Sequence, residues 1–192
     1  MRLNAGVVAA FGMSLALWAV QGHAGDSLPG DIGGAFKLTN QHGDPRSEAD
    51  PDSDAQLLFF GYVNCQEICS AALPAMADVS DILAERGLRV TPVLVTVDPE
   101  RDRIDTMGGP LADLHPGFVG LTGTAEALQV AYDAYDVSFE EVFTDPEFGP
   151  VYSHGSFIYL LDPGGRVLTL LPPVLSPEHM ATIVAANVAG AG

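Results

Sequence analysis

The chain has 192 residues, which predicts one compact domain, and 47% of them are hydrophobic, enough for a core and too many for wholesale disorder. Eight basic residues against 25 acidic ones give a formal charge of −17, a surface that repels phosphate backbones and anionic headgroups, so no nucleic-acid partner is expected. Two cysteines exclude a disulfide scaffold, a zinc ribbon and a cysteine-bound iron–sulfur cluster, since the last two need about four ligands each.

Arg2 is the first charge, and an apolar run from Ala5 to Val20 follows, broken only by small residues and Ser14. This is shorter than the roughly 20 residues that span a bilayer as a helix. A charged start, an apolar middle and Gly22-His23-Ala24 read as a secretory signal over 1–24, cleaved after Ala24. An uncleaved N-terminal anchor is the alternative, and membrane contact is expected only in that case. The mature chain is then placed outside the cytoplasm, in the periplasm, where a cysteine pair can be oxidised or can bind metal away from glutathione.

Residues 25–35, rich in Gly, Asp and Pro, read as a linker to a domain over 36–192. Phe36–Thr39 reads as a short strand, with turns at Gly43-Asp44-Pro45 and Asp50–Asp54. Gln56–Gly61 is a continuous apolar run between turn signals, the mark of a buried strand. Leu73, Met76, Val79, Ile82 and Leu83 recur at helical spacing, predicting a helix over about 69–86 that Gly87 stops. Val90–Val97 is a second buried strand.

Asp98-Pro99-Glu100 carries helix-start chemistry, and that helix is expected to be interrupted at Gly108-Gly109-Pro110. Phe118–Leu121 reads as a strand, and Thr124 as the cap of a helix running to Tyr135. Residues 138–150 are acidic and read as irregular. Phe157–Leu161 and Arg166–Leu170 flank a hairpin turn, Asp162-Pro163-Gly164-Gly165, and Ser176-Pro177-Glu178 opens a closing helix to about Val188. The order predicts an α/β fold: a mixed sheet with helices on both faces and an N-terminal strand extension, compatible with a thioredoxin-like arrangement.

Cys65 and Cys69 stand between a buried strand and a helix, where folds of this kind place their sites. The free N–H groups of a helix N-terminus stabilise thiolate, the form that attacks disulfides and binds metal. Spacing i, i+4 brings both sulfurs to one face of a turn, where they can pair with each other or hold one ion. A purely structural disulfide would close a ring of a few residues and remove little unfolded-chain entropy.

The run Gly61-Tyr62-Val63-Asn64-Cys65-Gln66-Glu67-Ile68-Cys69 occurs together with Val97-Asp98-Pro99-Glu100-Arg101-Asp102, Leu121-Thr122-Gly123-Thr124 and His154 before Ser156–Gly165. In this combination the chain resembles the SCO/SenC family of copper-binding, thioredoxin-like proteins over about residues 32–190. The resemblance implies a copper site of Cys65, Cys69 and His154. It also implies a role in assembling the copper centre of cytochrome c oxidase, with thiol–disulfide exchange in some members.

Donor chemistry agrees: soft thiolates select Cu(I), while imidazole also suits Cu(II). His42, His115 and His179 read as exposed polar residues, and His23 goes with the signal. Family members often carry proline where this chain has Gln66 and Ser70, aspartate where it has Glu67, and aspartate where it has Ser153.

Three functions are compatible with these residues. The first is an extracytoplasmic copper metallochaperone that delivers Cu(I) or Cu(II) to an oxidase subunit. The second is a thiol–disulfide reductase that keeps a partner's copper-ligand cysteines reduced, with Cys65 and Cys69 as the redox pair. The third is a redox or copper sensor. With two cysteines in the chain and no third thiol, copper binding calls for an extracytoplasmic thiol reductant as a partner.

Overall fold

The computed structural model describes residues 32–63, 69–147 and 149–191. The expected signal over 1–24 and most of the expected linker therefore lie outside the described residues. Ile32 packs against the core, and the Gly33 N–H donates to the Ala134 carbonyl at 2.7 Å, so the chain is tied to the body from Ile32 onward.

In chain order the strands are β1 (Leu38–Asn40), β2 (Pro45–Arg46), β3 (Ala55–Gly61), β4 (Val90–Thr96), β5 (Val119–Thr122), β6 (Phe139–Asp145), β7 (Gly149–His154), β8 (Ile158–Leu161) and β9 (Val167–Leu171). The helices are α1 (Cys69–Glu85), α2 (Gly108–Leu114), α3 (Ala125–Ala134) and α4 (Pro177–Ala191). The large sheet runs β2-β1-β5-β4-β3-β8-β9. Within it β5, β4 and β3 are parallel, whereas β1 and β8 join antiparallel at either side.

β3 is buried along its whole length because it is paired on both edges and covered on both faces, as its unbroken apolar run requires. Gln56 is the polar exception in that strand. Its amide donates to the Glu48 carbonyl at 2.6 Å and its oxygen accepts from Arg46 at 3.1 Å, which pins the N-terminal hairpin β1–β2 to the sheet.

The crossovers β3-α1-β4 and β4-α2-β5 step in the same direction, so right-handed connections put α1 and α2 on one face, where α1 also meets α4. The return from β5 to β8 carries α3 to the other face. There Tyr132 and Tyr135 pack edge-on and tilted against Phe60, with ring centroids at 6.1 and 5.4 Å. This is the mixed sheet with helices on both faces that the element order predicts, and it is compatible with a thioredoxin-like arrangement.

Two expectations fail. No helix follows Asp98-Pro99-Glu100. The Asp98 carbonyl accepts from Arg101 and Asp102 N–H groups in a single turn, and the Arg103 N–H then turns back to the Arg101 carbonyl at 3.2 Å instead of continuing the helical ladder. The helix begins instead at Gly108, where an interruption was expected. Pro110 is its third residue, a position whose N–H has no partner within the helix, so proline costs nothing there.

Residues 138–150 are not irregular. They form most of an antiparallel ribbon, β6–β7, whose pairing places Phe139 opposite His154 and carries a register shift between Glu141 and Phe143. β6 is largely open to solvent and β7 is half-buried without a buried face, so neither shows the apolar alternation by which a strand on a core is recognised.

Candidate metal centre

The parallel strands end together on one side of the sheet, and of the expected ligands the last residue of β7, His154, and the backbone of Cys69 at the start of α1 are described there. Cys69 is the first residue of α1, and its backbone follows β3 across the cysteine loop. Cys65 lies outside the described residues. His154 is the last residue of β7 and not the end of an irregular segment.

The His154 ring packs edge-on against Phe59 at 5.7 Å and Tyr62 at 6.0 Å between centroids. Phe59 belongs to β3, and Tyr62 directly follows it, three positions before Cys65. The histidine distant in sequence is therefore packed against the root of the cysteine loop.

His154 Nδ1 lies 2.9 Å from the Gly155 carbonyl. A carbonyl oxygen only accepts, so Nδ1 is the donor, which in a neutral ring leaves the lone pair on Nε2. A backbone carbonyl thus orients the ring in the way that the aspartate common in the resembling family would, which bears directly on the serine at position 153.

The other histidines are elsewhere. His42 sits in the turn after β1, and its N–H donates to the Asn40 side chain at 2.9 Å. His115 caps α2, with Nε2 at 3.3 Å from Asp81 and Nδ1 accepting from the Gly117 N–H at 3.0 Å. His179 occupies the first turn of α4. Among the described residues no three His, Cys, Asp or Glu side chains converge to hold a metal ion. An open cavity of about 570 Å³ lies at the carboxyl end of β5, but Thr39, Pro99, Arg103, Ile104 and Thr122 line it, and His154 does not.

At the end of β4 lies a polar network that includes Asp98 and Asp102 of the Val97–Asp102 motif, and sequence alone assigned Asp102 no role. One oxygen of Asp102 accepts from the Val63 N–H at 3.0 Å and from Thr96 Oγ1 at 2.8 Å. Thr96 Oγ1 in turn accepts from the Asp98 N–H at 2.9 Å, and the Thr96 carbonyl accepts from the Tyr132 hydroxyl at 2.7 Å. Burial is the largest effect on Asp102 and outweighs its hydrogen bonds, pushing its carboxyl up to about 6. The network fixes Val63, two residues ahead of Cys65, to the end of β4. Arg101, paired with Asp98, lies 5.5 Å from the centre of the Tyr62 ring.

No helix among the described residues is long and apolar enough to cross a membrane. A model of the SCO1/SenC family matches residues 24–189. A SCO2-like protein of Rickettsia felis is 31% identical over 158 residues, covering 81% of this chain and 77% of that protein. The mitochondrial SCO2 homolog of Homo sapiens is 36% identical over 134 residues, 69% of this chain and 50% of that one.

Among solved structures, Arabidopsis thaliana ScoI with copper bound aligns at a TM-score of 0.77 and 26% identity, over 83% of this chain and 99% of that one. Yeast Sco1 with copper bound aligns at 0.75 and 27% identity, over 83% of this chain and 90% of that one. The match of the family model across most of the chain shows that this protein belongs to the SCO1/SenC family.

Proposed function

We propose that this protein is an extracytoplasmic copper metallochaperone, in which Cys65, Cys69 and His154 take up copper as cargo and pass it to the copper-accepting subunit of a cytochrome c oxidase. The observation that carries this reading is the packing of the His154 ring on Phe59 and Tyr62, at the root of the cysteine loop. The copper-bound Arabidopsis thaliana and yeast relatives support it. In this reading residues 1–24 direct the chain across a membrane, or hold it there, and the domain works in the periplasm.

The donor set fits the cargo. Two thiolates satisfy Cu(I), and an imidazole with its Nε2 lone pair makes the site acceptable to Cu(II) as well. Copper and a Cys65–Cys69 disulfide compete for the same sulfurs. An oxidised pair therefore needs a dithiol partner, which gives up two electrons and two protons and becomes a disulfide itself. The reductase function would use the same pair, but an oriented imidazole at the end of β3 favours metal.

The test is copper titration of the fully reduced mature protein. One copper per monomer is expected, with an intense sulfur-to-copper charge-transfer band in the Cu(II) form that Cys65→Ser or Cys69→Ser abolishes. His154→Ala is expected to weaken Cu(II) binding more than Cu(I) binding. A band that survives either serine substitution, or an equal loss of both oxidation states at His154, overturns the ligand assignment.

A further inference from the structure

The ribbon that carries His154 is paired only with itself. Among the described residues, β6 and β7 form their own two-stranded sheet, separate from the seven-stranded one. No backbone ladder therefore sets where His154 stands relative to the end of β3. That placement falls to the three-residue link into β8, which pairs with β3, and to side chains.

Several are apolar contacts, such as Tyr132 on Phe139 at 5.0 Å and Tyr62 on Tyr152 at 5.6 Å. The Tyr62 hydroxyl also accepts from the Tyr152 N–H at 3.4 Å. The shorter directional contact comes from Arg101. Its Nη2 donates to the Pro150 carbonyl of β7 at 2.7 Å, while its Nε donates to the Asp98 carboxylate and its guanidinium lies over the Tyr62 ring.

Three segments thus meet on one planar group: the turn after β4, the residue after β3, and the strand bearing His154. Asp98 is itself buried, and its N–H is anchored on Thr96 Oγ1 at 2.9 Å, so the base of the contact does not move. The strand side is shaped to admit the group. Gly149 has φ +79°, and a Cβ built there would stand 2.6 Å from Arg101 Nη1. A guanidinium meets these partners in different directions at once, which a lysine ammonium on a flexible stem does not.

We infer that Arg101 is a positioning residue for the metal centre: with Gly149 as its seat, it clamps the β6–β7 ribbon to the cysteine-bearing end of the sheet and so sets the reach of His154. The inference rests on the reading of His154 as a ligand. The residue acts through His154 and not on copper, so its loss falls on the oxidation state that needs imidazole.

The experiment combines copper titration with amide hydrogen exchange on Arg101→Gln, Gly149→Ala and His154→Ala, singly and with His154→Ala paired with each of the others. Arg101→Gln and Gly149→Ala are each expected to lower Cu(II) affinity by about tenfold or more and to alter the Cu(II) electron paramagnetic resonance spectrum, with Cu(I) affinity held within about twofold. In the His154→Ala background neither is expected to cost anything further. In the metal-free protein, exchange at Tyr152, Ser153 and His154 should quicken, while β3 and β4 keep their protection.

Equal losses of Cu(I) and Cu(II), a full further loss on top of His154→Ala, or unchanged exchange in β7 overturns the clamp. If His154→Ala itself leaves Cu(II) binding intact, the ligand reading is what fails. The exchange rates of β7 in Arg101→Gln then still decide whether Arg101 anchors the ribbon.

Discussion

Asp102 is buried between the end of β4 and the root of the cysteine loop, and one of its oxygens serves both Val63 and Thr96. Its carboxyl is pushed up to about 6 from an ordinary value near 3.8. The folded state therefore holds this proton more tightly than the unfolded chain. The stability tied to that proton is fully present below about pH 4 and is lost as pH rises through about 6.

Asp102→Asn keeps a carbonyl oxygen for both donors and removes the titration. Relative to that variant, the parent protein is expected to lose about 2–3 kcal/mol between pH 4 and pH 7. Urea unfolding at the two pH values measures it, and parallel pH dependence in the two proteins contradicts the account. Glu126 and Glu178 behave in the opposite sense. Each sits in the first turn of a helix and is lowered chiefly by a backbone hydrogen bond there, the usual effect of a helix N-terminus on an acid.

At the scale of elements, the start of α2 shows how local chemistry and position combine. Met107 stands at its N-cap without a side-chain bond to the helix and is buried, so packing sets where the helix begins. Gly109 follows in the first turn, with a φ outside the left-handed range and nothing within 4 Å of a built Cβ. Pro110 follows directly, and in helical backbone a Cβ at position 109 crowds the proline Cδ, so Gly109→Ala is expected to destabilise the fold by about 0.5 kcal/mol or more. Thermal or denaturant unfolding checks it, and a stabilised variant contradicts the account.

Gly120 in β5 is a contrasting glycine. A Cβ there would meet Leu111 at 2.5 Å and Met107 at 2.7 Å, because α2 lies directly on the strand. The β6–β7 ribbon differs from both cases. Exposed Val142 and Phe143 sit at its register shift among Glu140, Glu141 and Asp145. Strand formation there depends on cross-strand pairing more than on burial, so charge does not exclude it.

At the scale of the whole molecule, a formal charge of −17 on 192 residues makes self-repulsion a persistent cost of compactness. Raising ionic strength shortens the screening length from about 30 Å at 0.01 M to about 10 Å at 0.1 M. The melting temperature of the metal-free protein is expected to rise with sodium chloride over that range. A flat or falling response would show that local ion pairs such as Arg46–Asp50 and Arg101–Asp98 outweigh the overall repulsion.

The elements with a core were readable from the amino-acid order because burial imposes a pattern. Gln56–Gly61, Val90–Val97 and Phe157–Leu161 had to be strands, and the helix from Cys69 to Gly87 had to present an apolar stripe. Thr124, whose hydroxyl accepts from the Ala127 N–H at 3.3 Å, marked its own helix start. The family was readable too, since its motifs are short runs of neighbours in sequence.

Solvent-exposed pairing and long-range polar contacts leave no such pattern, and there the amino-acid order misled or was silent. The ribbon under His154 looked irregular, the turn after Asp98 looked helical, and Arg101, Asp102 and Gly149 had no assignable role. Only the tertiary structure decided these. A buried carboxylate, a guanidinium shared among three segments and a strand without a ladder to the main sheet are defined by partners far apart in sequence, and local propensity carries no information about a partner it does not touch.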